Sequence, residues 1–147
     1  MTVIVTDTGF APEDWAHGFL PLEAFDTGDG RDGGPLAVSV PSDTDPETLG
    51  NLLDGPALIR IAFPSFADGR GFTLARRLRD LGYAGRLRAA GHVLADQYTM
   101  IRRAGFDEVE IDDDLARRQP EDQWLFRADW TAHDYQARLR QFARVSA

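Results

Sequence analysis

Residues 57–111, ALIRIAFPSFADGRGFTLARRLRDLGYAGRLRAAGHVLADQYTMIRRAGFDEVEI, decide the fold. The first seven, 57–63, are a nearly continuous apolar strand, the composition expected of a parallel sheet covered by helices. A loop, 64–71, leads into a helix over 72–81 with Leu74, Leu78 and Leu81 at helical spacing, and Gly82 ends it. A strand at 87–90 then passes through Gly91 into a helix over 93–104, whose buried stripe is Leu94, Tyr98 and Ile101. Gly105 caps that helix, and 106–111 is the following strand.

Upstream, 36–40 reads as one more strand. Asp45 offers an N-cap, Pro46 suits the first helical position and Glu47 the first turn, so a helix is expected to run up to Gly55-Pro56. Four strands alternating with three helices imply repeated βαβ units and right-handed crossovers. The expected fold class is therefore α/β, a parallel sheet in the order 1-2-3-4 of half a TIM-type barrel, with a doubly wound, flavodoxin-like order as the alternative. Residues 1–147 are expected to form a single domain. Within it, 1–35 is an N-terminal arm packed by its aromatics and followed by a flexible Gly/Asp loop at 27–35, and 115–147 is a C-terminal helical extension. Asp112 to Asp114 read as a solvated turn, Trp124-Leu125-Phe126 as an extra strand or plug, and a last helix from near Thr131 buries Tyr135, Leu139 and Phe142.

Composition excludes several chemistries. All 16 basic residues are Arg, and there is neither Lys nor Cys. Thiolate nucleophiles, disulfides, cysteine-ligated iron–sulfur clusters, Schiff bases and a P-loop lysine are thereby ruled out. The three histidines, His17, His92 and His133, lack ligand spacing, so no metal site is expected. A formal net charge of −8 argues against a nucleic-acid partner. No apolar run reaches membrane-span length and no leader pattern opens the chain, so a soluble cytoplasmic protein without a membrane partner is expected. No GxGxxG follows a strand, and no cofactor is recognisable.

Two groups of residues could carry chemistry. Asp68-Gly69-Arg70-Gly71 lies between an apolar strand and a helix, at the carboxyl end where parallel α/β sheets bind ligands. Free amide groups there favour an anion, and Arg70 could add a charge-assisted contact. The plainer alternative is that Asp68 caps the helix, the glycines permit the turn and Arg70 pairs with Asp68 or Asp96. Asp96 and Gln97, at the next βα junction, are expected near Asp68 and Arg70. Sorting strand residues by a period of two puts Ile59, Ile61, Phe63, Leu87, Ala89, Val109 and Ile111 on one face, and Arg60, Arg86, Arg88, Glu108 and Glu110 on the other. The second face is expected to be polar and concave, with cross-strand Arg–Glu pairs, and to be solvated or covered by the arm or a second subunit. A homodimer is one way to protect that face and the sheet edges.

The stretches FPSFADGRGFTLARRLRDLGYAG (63–85) and LRAAGHVLADQYTMIRRAGFD (87–107), with Asp14-Trp15 upstream, resemble a bacterial family of unknown function encoded beside assimilatory sulfite reductase genes. The matching positions are Phe63, Pro64, Phe66, Asp68, Gly69, Arg70, Gly71, Arg76, Arg79, Arg88, Gly91, Asp96, Gln97, Gly105 and Phe106. The chain departs from the family pattern at Ser65, His92, Ala95 and Ala104, and Ala104 replaces a Cys that many members carry. Family members are labelled oxidoreductases of sulfite reduction, a label that implies a pathway without implying a catalytic residue. The leading expectation is an accessory or small-anion-binding protein of assimilatory sulfite reduction, its ligand residues being Asp68, Gly69, Arg70, Gly71, Arg88, Asp96 and Gln97. One rival is an enzyme of the same pathway with a borrowed cofactor, in which Asp68 or Asp96 is general acid/base and Arg70 or Arg88 stabilises charge. Another is a structural partner of sulfite reductase or another sulfur-assimilation protein, to which the motif residues Arg76 and Arg79 could dock.

Overall fold

The computed structural model describes residues 2–28 and 34–131. In chain order the elements are β1 (Thr2–Thr6), β2 (Gly9–Pro12), β3 (Leu20–Pro21), α1 (Leu22–Thr27) and β4 (Leu36–Val40). A 3₁₀ helix (Pro46–Leu52) precedes β5 (Pro56–Phe63), α2 (Arg70–Leu81) and β6 (Arg86–Gly91). A second 3₁₀ turn (Ala95–Gln97) leads into α3 (Tyr98–Ala104), β7 (Glu108–Asp112), α4 (Asp113–Arg118) and α5 (Glu121–Leu125). All seven strands join one sheet in the order β2-β1-β7-β6-β5-β4-β3. Strands β3 to β7 run parallel, each beside its predecessor; β1 adds antiparallel to β7, and β2 adds antiparallel to β1 at the edge. The βαβ stretch thus takes the sequential order and not the doubly wound one.

Side-chain period explains the layering. Ile59, Ile61, Phe63, Leu87, Ala89, Val109 and Ile111 are all buried in one apolar cluster with Leu49 and Leu52 of the first 3₁₀ helix, Leu74 and Leu78 of α2, and Tyr98 and Ile101 of α3. The two longer α-helices packed there end on a local signal: Gly82 and Gly105 take positive φ and return their N–H groups to the last carbonyls of α2 and α3.

Several local expectations are corrected. The segment after Asp45 is 3₁₀ rather than α, although Asp45 does accept from the Glu47 N–H and Pro46 does sit at its start. Seven residues that include Pro46, Gly50 and Asn51 favour the helical interior poorly. Residues 93 and 94 are not helical, because the His92 N–H still pairs with the Phe63 carbonyl at 2.8 Å and Leu94 stays extended, its N–H held by the Gln97 side chain. Strand β7 begins at Glu108, not Phe106, since Phe106 closes the α3 cap and turns into the core. Asp112 is not part of a solvated turn; its carboxylate caps α4 by accepting from the Leu115 N–H at 2.7 Å. Trp124 to Phe126 form no strand, and Trp124 plugs the core from α5. The arm is more than an aromatic pad, because it supplies β1, β2 and β3. The expected final helix with Tyr135, Leu139 and Phe142, His133, and most of the Gly/Asp loop lie outside the described residues.

Candidate functional site

The face turned away from the helices carries charge, as the alternation along the strands requires. Strand register sets Arg60 beside Arg88 and Arg88 beside Glu108, with Ala62 beside Ala90 and Ala90 beside Glu110 one step toward the carboxyl ends. Arg88 is completely buried, with Nε on Glu108 at 2.6 Å and Nη1 on Glu110 at 2.8 Å. Arg86 meets Glu108 at 2.5 Å. Burial of such charges is tolerable because each guanidinium finds carboxylates within hydrogen-bond reach.

What closes this face is the segment 13–19. It leaves β2 at one edge of the sheet and enters β3 at the opposite edge, so it must cross between them. On the way Glu13 receives both Nη atoms of Arg88, at 2.6 and 2.9 Å, and Asp14 receives Arg86 at 2.6 Å. The Phe19 ring lies 3.7 Å under the Arg60 guanidinium, a cation–π contact. Burial opposes the charge of Glu13 but is outweighed by its hydrogen bonds from Arg88 and the Trp15 N–H, so its pKa falls below the ordinary 4.5. The hydrogen bond from Arg86 likewise holds Asp14 below its ordinary 3.8. Folded values below the unfolded ones mean that this stabilisation is complete above the ordinary values and is lost as pH falls through the folded ones. Glu13→Gln/Asp14→Asn is therefore expected to flatten the fall of Tm between about pH 5 and pH 3. A melting series as steep as that of the wild type would contradict this.

The DGRG turn has a self-contained structure. The Asp68 carboxylate accepts from the Arg70 N–H at 3.1 Å, from its Nε at 3.0 Å and from its Nη2 at 2.8 Å, and Nη2 also reaches the Ser42 hydroxyl at 3.2 Å. These bonds from Arg70 hold the Asp68 carboxyl far below the usual carboxylate range. A general acid or base works best with a pKa near the working pH, so this environment counts against Asp68 in that role. The Arg70 side chain remains 59 % exposed. Gly71 is required by packing: a Cβ there would stand 2.6 Å from the Phe63 ring. Gln97 joins the neighbouring turn to this loop, donating to the Phe66 carbonyl at 2.8 Å. Asp96 is directed elsewhere, meeting Arg127 at 3.3 Å with its side chain 84 % exposed. Of the motif arginines on α2, Arg79 is engaged internally: it donates to the carbonyls of Gly105, Tyr83 and Gly85 and to Asp107, so it ties the α2 and α3 termini together and is not a free docking group.

Beside this rim, on the charged face, a cavity of about 740 Å³ opens at the carboxyl ends of the parallel strands. Its floor is Ala62, Ala90 and Gly91, its walls include Pro21, Leu22, Val40 and Pro41, and Arg60, Ser39 and Glu110 mark its polar end. A smaller lobe of about 170 Å³, with His92 and Arg118, shares Gly91 and Glu110. Gly91 has φ +119°, and a Cβ would come within 2.6 Å of the Phe63 carbonyl oxygen, so the floor is bare there for backbone reasons. Arg60 is the lattice arginine that lines this cavity, 28 % exposed. Its Nε and Nη2 share one neutral acceptor, Ser39 Oγ, at 3.1 and 2.9 Å. Its carboxylate contact, to Glu110, is long at 3.3 Å, whereas Arg88 holds Glu110 at 2.8 Å. Arg60 thus retains more capacity for an added anion than Arg88, whose Nε, Nη1 and Nη2 all meet carboxylates. Among the described residues no cluster of three or more His, Cys, Asp or Glu could hold a metal ion.

Among the lining residues the sequence marks Arg60 only as part of the lattice, and Ala62 and Ala90 are not among the candidates it offers. A signal existed: on both strands the charged face ends in the pattern Arg-x-Ala, at 60–62 and 88–90, so two large side chains give way to two small ones at adjacent carboxyl ends. Phe19, Pro21 and Leu22 had no such signal.

Residues 37–144 match the model of a family described as bacterial protein of unknown function (DUF934). No curated protein and no solved structure matches the chain.

Proposed function

We propose, for a chain that belongs to this family of bacterial proteins of unknown function, that it is a small-anion-binding accessory protein whose ligand sits on the charged face of the sheet, with its negative group on Arg60. The observation that carries the reading is the cavity at the carboxyl ends of β4, β5 and β6, with a guanidinium at its polar end whose carboxylate contact is long, at 3.3 Å, and whose Nε and Nη2 share the neutral Ser39 hydroxyl. Ligand pockets of open parallel sheets form at that end, and typical ones measure roughly 300–1,000 Å³. The DGRG turn borders the same rim through the Arg70–Ser42 contact, Ser42 following the cavity residue Pro41. Arg70, Gly69 and Gln97 are then rim residues, Asp96 turns away to Arg127, and Arg88 acts from beneath by holding Glu110. Assimilatory sulfite reduction is the pathway we propose, on the resemblance carried by residues 63–107.

A thermal-shift screen with organic and inorganic anions tests the binding. A ligand at 100 times its Kd adds about 2.7 kcal/mol of stability, hence a rise of roughly 5–10 °C in Tm for a chain of this size. Arg60→Met, which keeps an apolar stem against Phe19, is expected to weaken that ligand by roughly ten- to a hundredfold, the worth of a charge-assisted hydrogen bond. Equal responses from wild type and variant would remove Arg60 from the site. For the pathway, deletion of the gene is expected to impair growth on sulfate or sulfite and to be rescued by sulfide; unimpaired growth on sulfate would refute it.

A further inference from the structure

We infer that the ligand of this cavity is an organic anion with an apolar body of ring-system size, and not an inorganic oxyanion such as sulfite or sulfate. The inference rests on the reading that the cavity binds an anion, and it names the chemical class.

Size speaks first. A cavity of about 740 Å³ dwarfs an ion that displaces a few waters, at roughly 30 Å³ of liquid volume each. It falls instead in the class that accommodates drug-sized molecules, roughly 300–1,000 Å³. The lining agrees: Pro21, Leu22, Val40, Pro41, Ala62 and Ala90 present carbon, and charge is confined to Arg60 and Glu110 at one end and Glu23 on the wall.

Donor supply is the second argument. A desolvated oxyanion needs several donors converging on it, because an unpaired buried charge is costly. The floor offers few. Ala62 and Ala90 are register partners inside the β5–β6 ladder, where backbone groups are engaged with each other, and the next N–H, of His92, is spent on the Phe63 carbonyl. Arg60 is accompanied by the Glu110 carboxylate at 3.3 Å, which opposes a compact anion placed nearby. One guanidinium can hold a carboxylate or sulfonate in bidentate fashion, but the remaining affinity must come from burial of apolar surface.

Shape is the third. Two methyl groups side by side, with a glycine beyond them, make a low, flat floor, and the pleat next to them rises to Arg60 on one side and Glu110 on the other. A ring lying on Ala62 and Ala90, edged by Pro21 and Pro41, directs a substituent acid group toward Arg60 and Ser39.

The test uses the full chain with 1-anilinonaphthalene-8-sulfonate as a fluorescent probe, 2-naphthoate as a competitor, and sodium sulfite and sulfate as inorganic counterparts. Ala62→Trp and Ala90→Leu fill the floor; both side chains are at least partly exposed, and circular dichroism checks that each variant folds. The expected result is saturable one-site probe binding, displaced by 2-naphthoate but not by millimolar sulfite or sulfate, and weakened about tenfold or more in both variants. Sulfite or sulfate raising Tm as much as 2-naphthoate, with the effect lost in Ala62→Trp, would overturn the inference while leaving an anion site in this cavity. Organic and inorganic anions alike without effect, or probe binding unchanged in both variants, would overturn the anion-binding reading as well.

Discussion

Arg88→Met is expected to lower the free energy of unfolding by about 3–5 kcal/mol, the usual cost of removing one partner of a buried ion cluster. Methionine keeps most of the stem and fits an apolar gap, so lost packing contributes little. The loss arises in what is left behind. Glu108, Glu110 and Glu13 each lose a guanidinium contact of 2.6–2.9 Å, and Glu108 keeps only Arg86. The lattice of Arg60, Arg86 and Arg88 against Glu13, Asp14, Glu108 and Glu110 has one surplus negative charge, which the substitution doubles. Urea denaturation with linear extrapolation measures the change. Arg88→Met/Glu108→Gln should recover part of it, because the two sites share one network and cannot behave additively. A loss under about 1 kcal/mol, the value of an exposed pair, would mean that the lattice is solvated in solution.

Trp124→Ala is expected to cost about 3–5 kcal/mol, the range for truncating a large buried aromatic. Trp124 is 1 % exposed and meets the Tyr98 ring edge-on at 6.1 Å. Its indole N–H donates to the Gln119 carbonyl at 2.9 Å, and the Gln119 side chain in turn accepts from the Ala95 N–H at 2.6 Å. Truncation therefore opens a cavity and loosens the α4–α5 connection from the turn that begins α3. Phe126→Ala, two positions on and 76 % exposed, is the control and should stay within about 0.5 kcal/mol of wild type. Similar losses for the two variants would show that α5 does not plug the core.

The sorting of strand residues into two faces was legible because it needs only the period of two and the apolar character of Ile59, Ile61, Leu87 and Val109. The Arg–Glu pairs across β5, β6 and β7 followed from it once a sequential order was chosen. Element boundaries were less legible where a side chain overrode propensity. The Gln97 amide holding the Leu94 N–H, and Asp112 serving as a cap rather than a turn residue, are examples. Of the candidate site, the DGRG turn was found at the expected rim, and Gln97 was found tied to it. The mutual capture of Asp68 and Arg70 was one of two outcomes the sequence allowed. Arg88 showed its charge in the sequence but not its burial.

The amino-acid sequence by itself determines the alternating strands and helices, the glycine stops at 82 and 105, and which side of each strand is apolar, since these depend on neighbours within a few residues. The tertiary structure alone decides what covers the charged face and where that face opens. Those outcomes depend on contacts such as Glu13 with Arg88, 75 positions apart, whose strength comes from burial and from the register between strands, quantities that no local pattern contains.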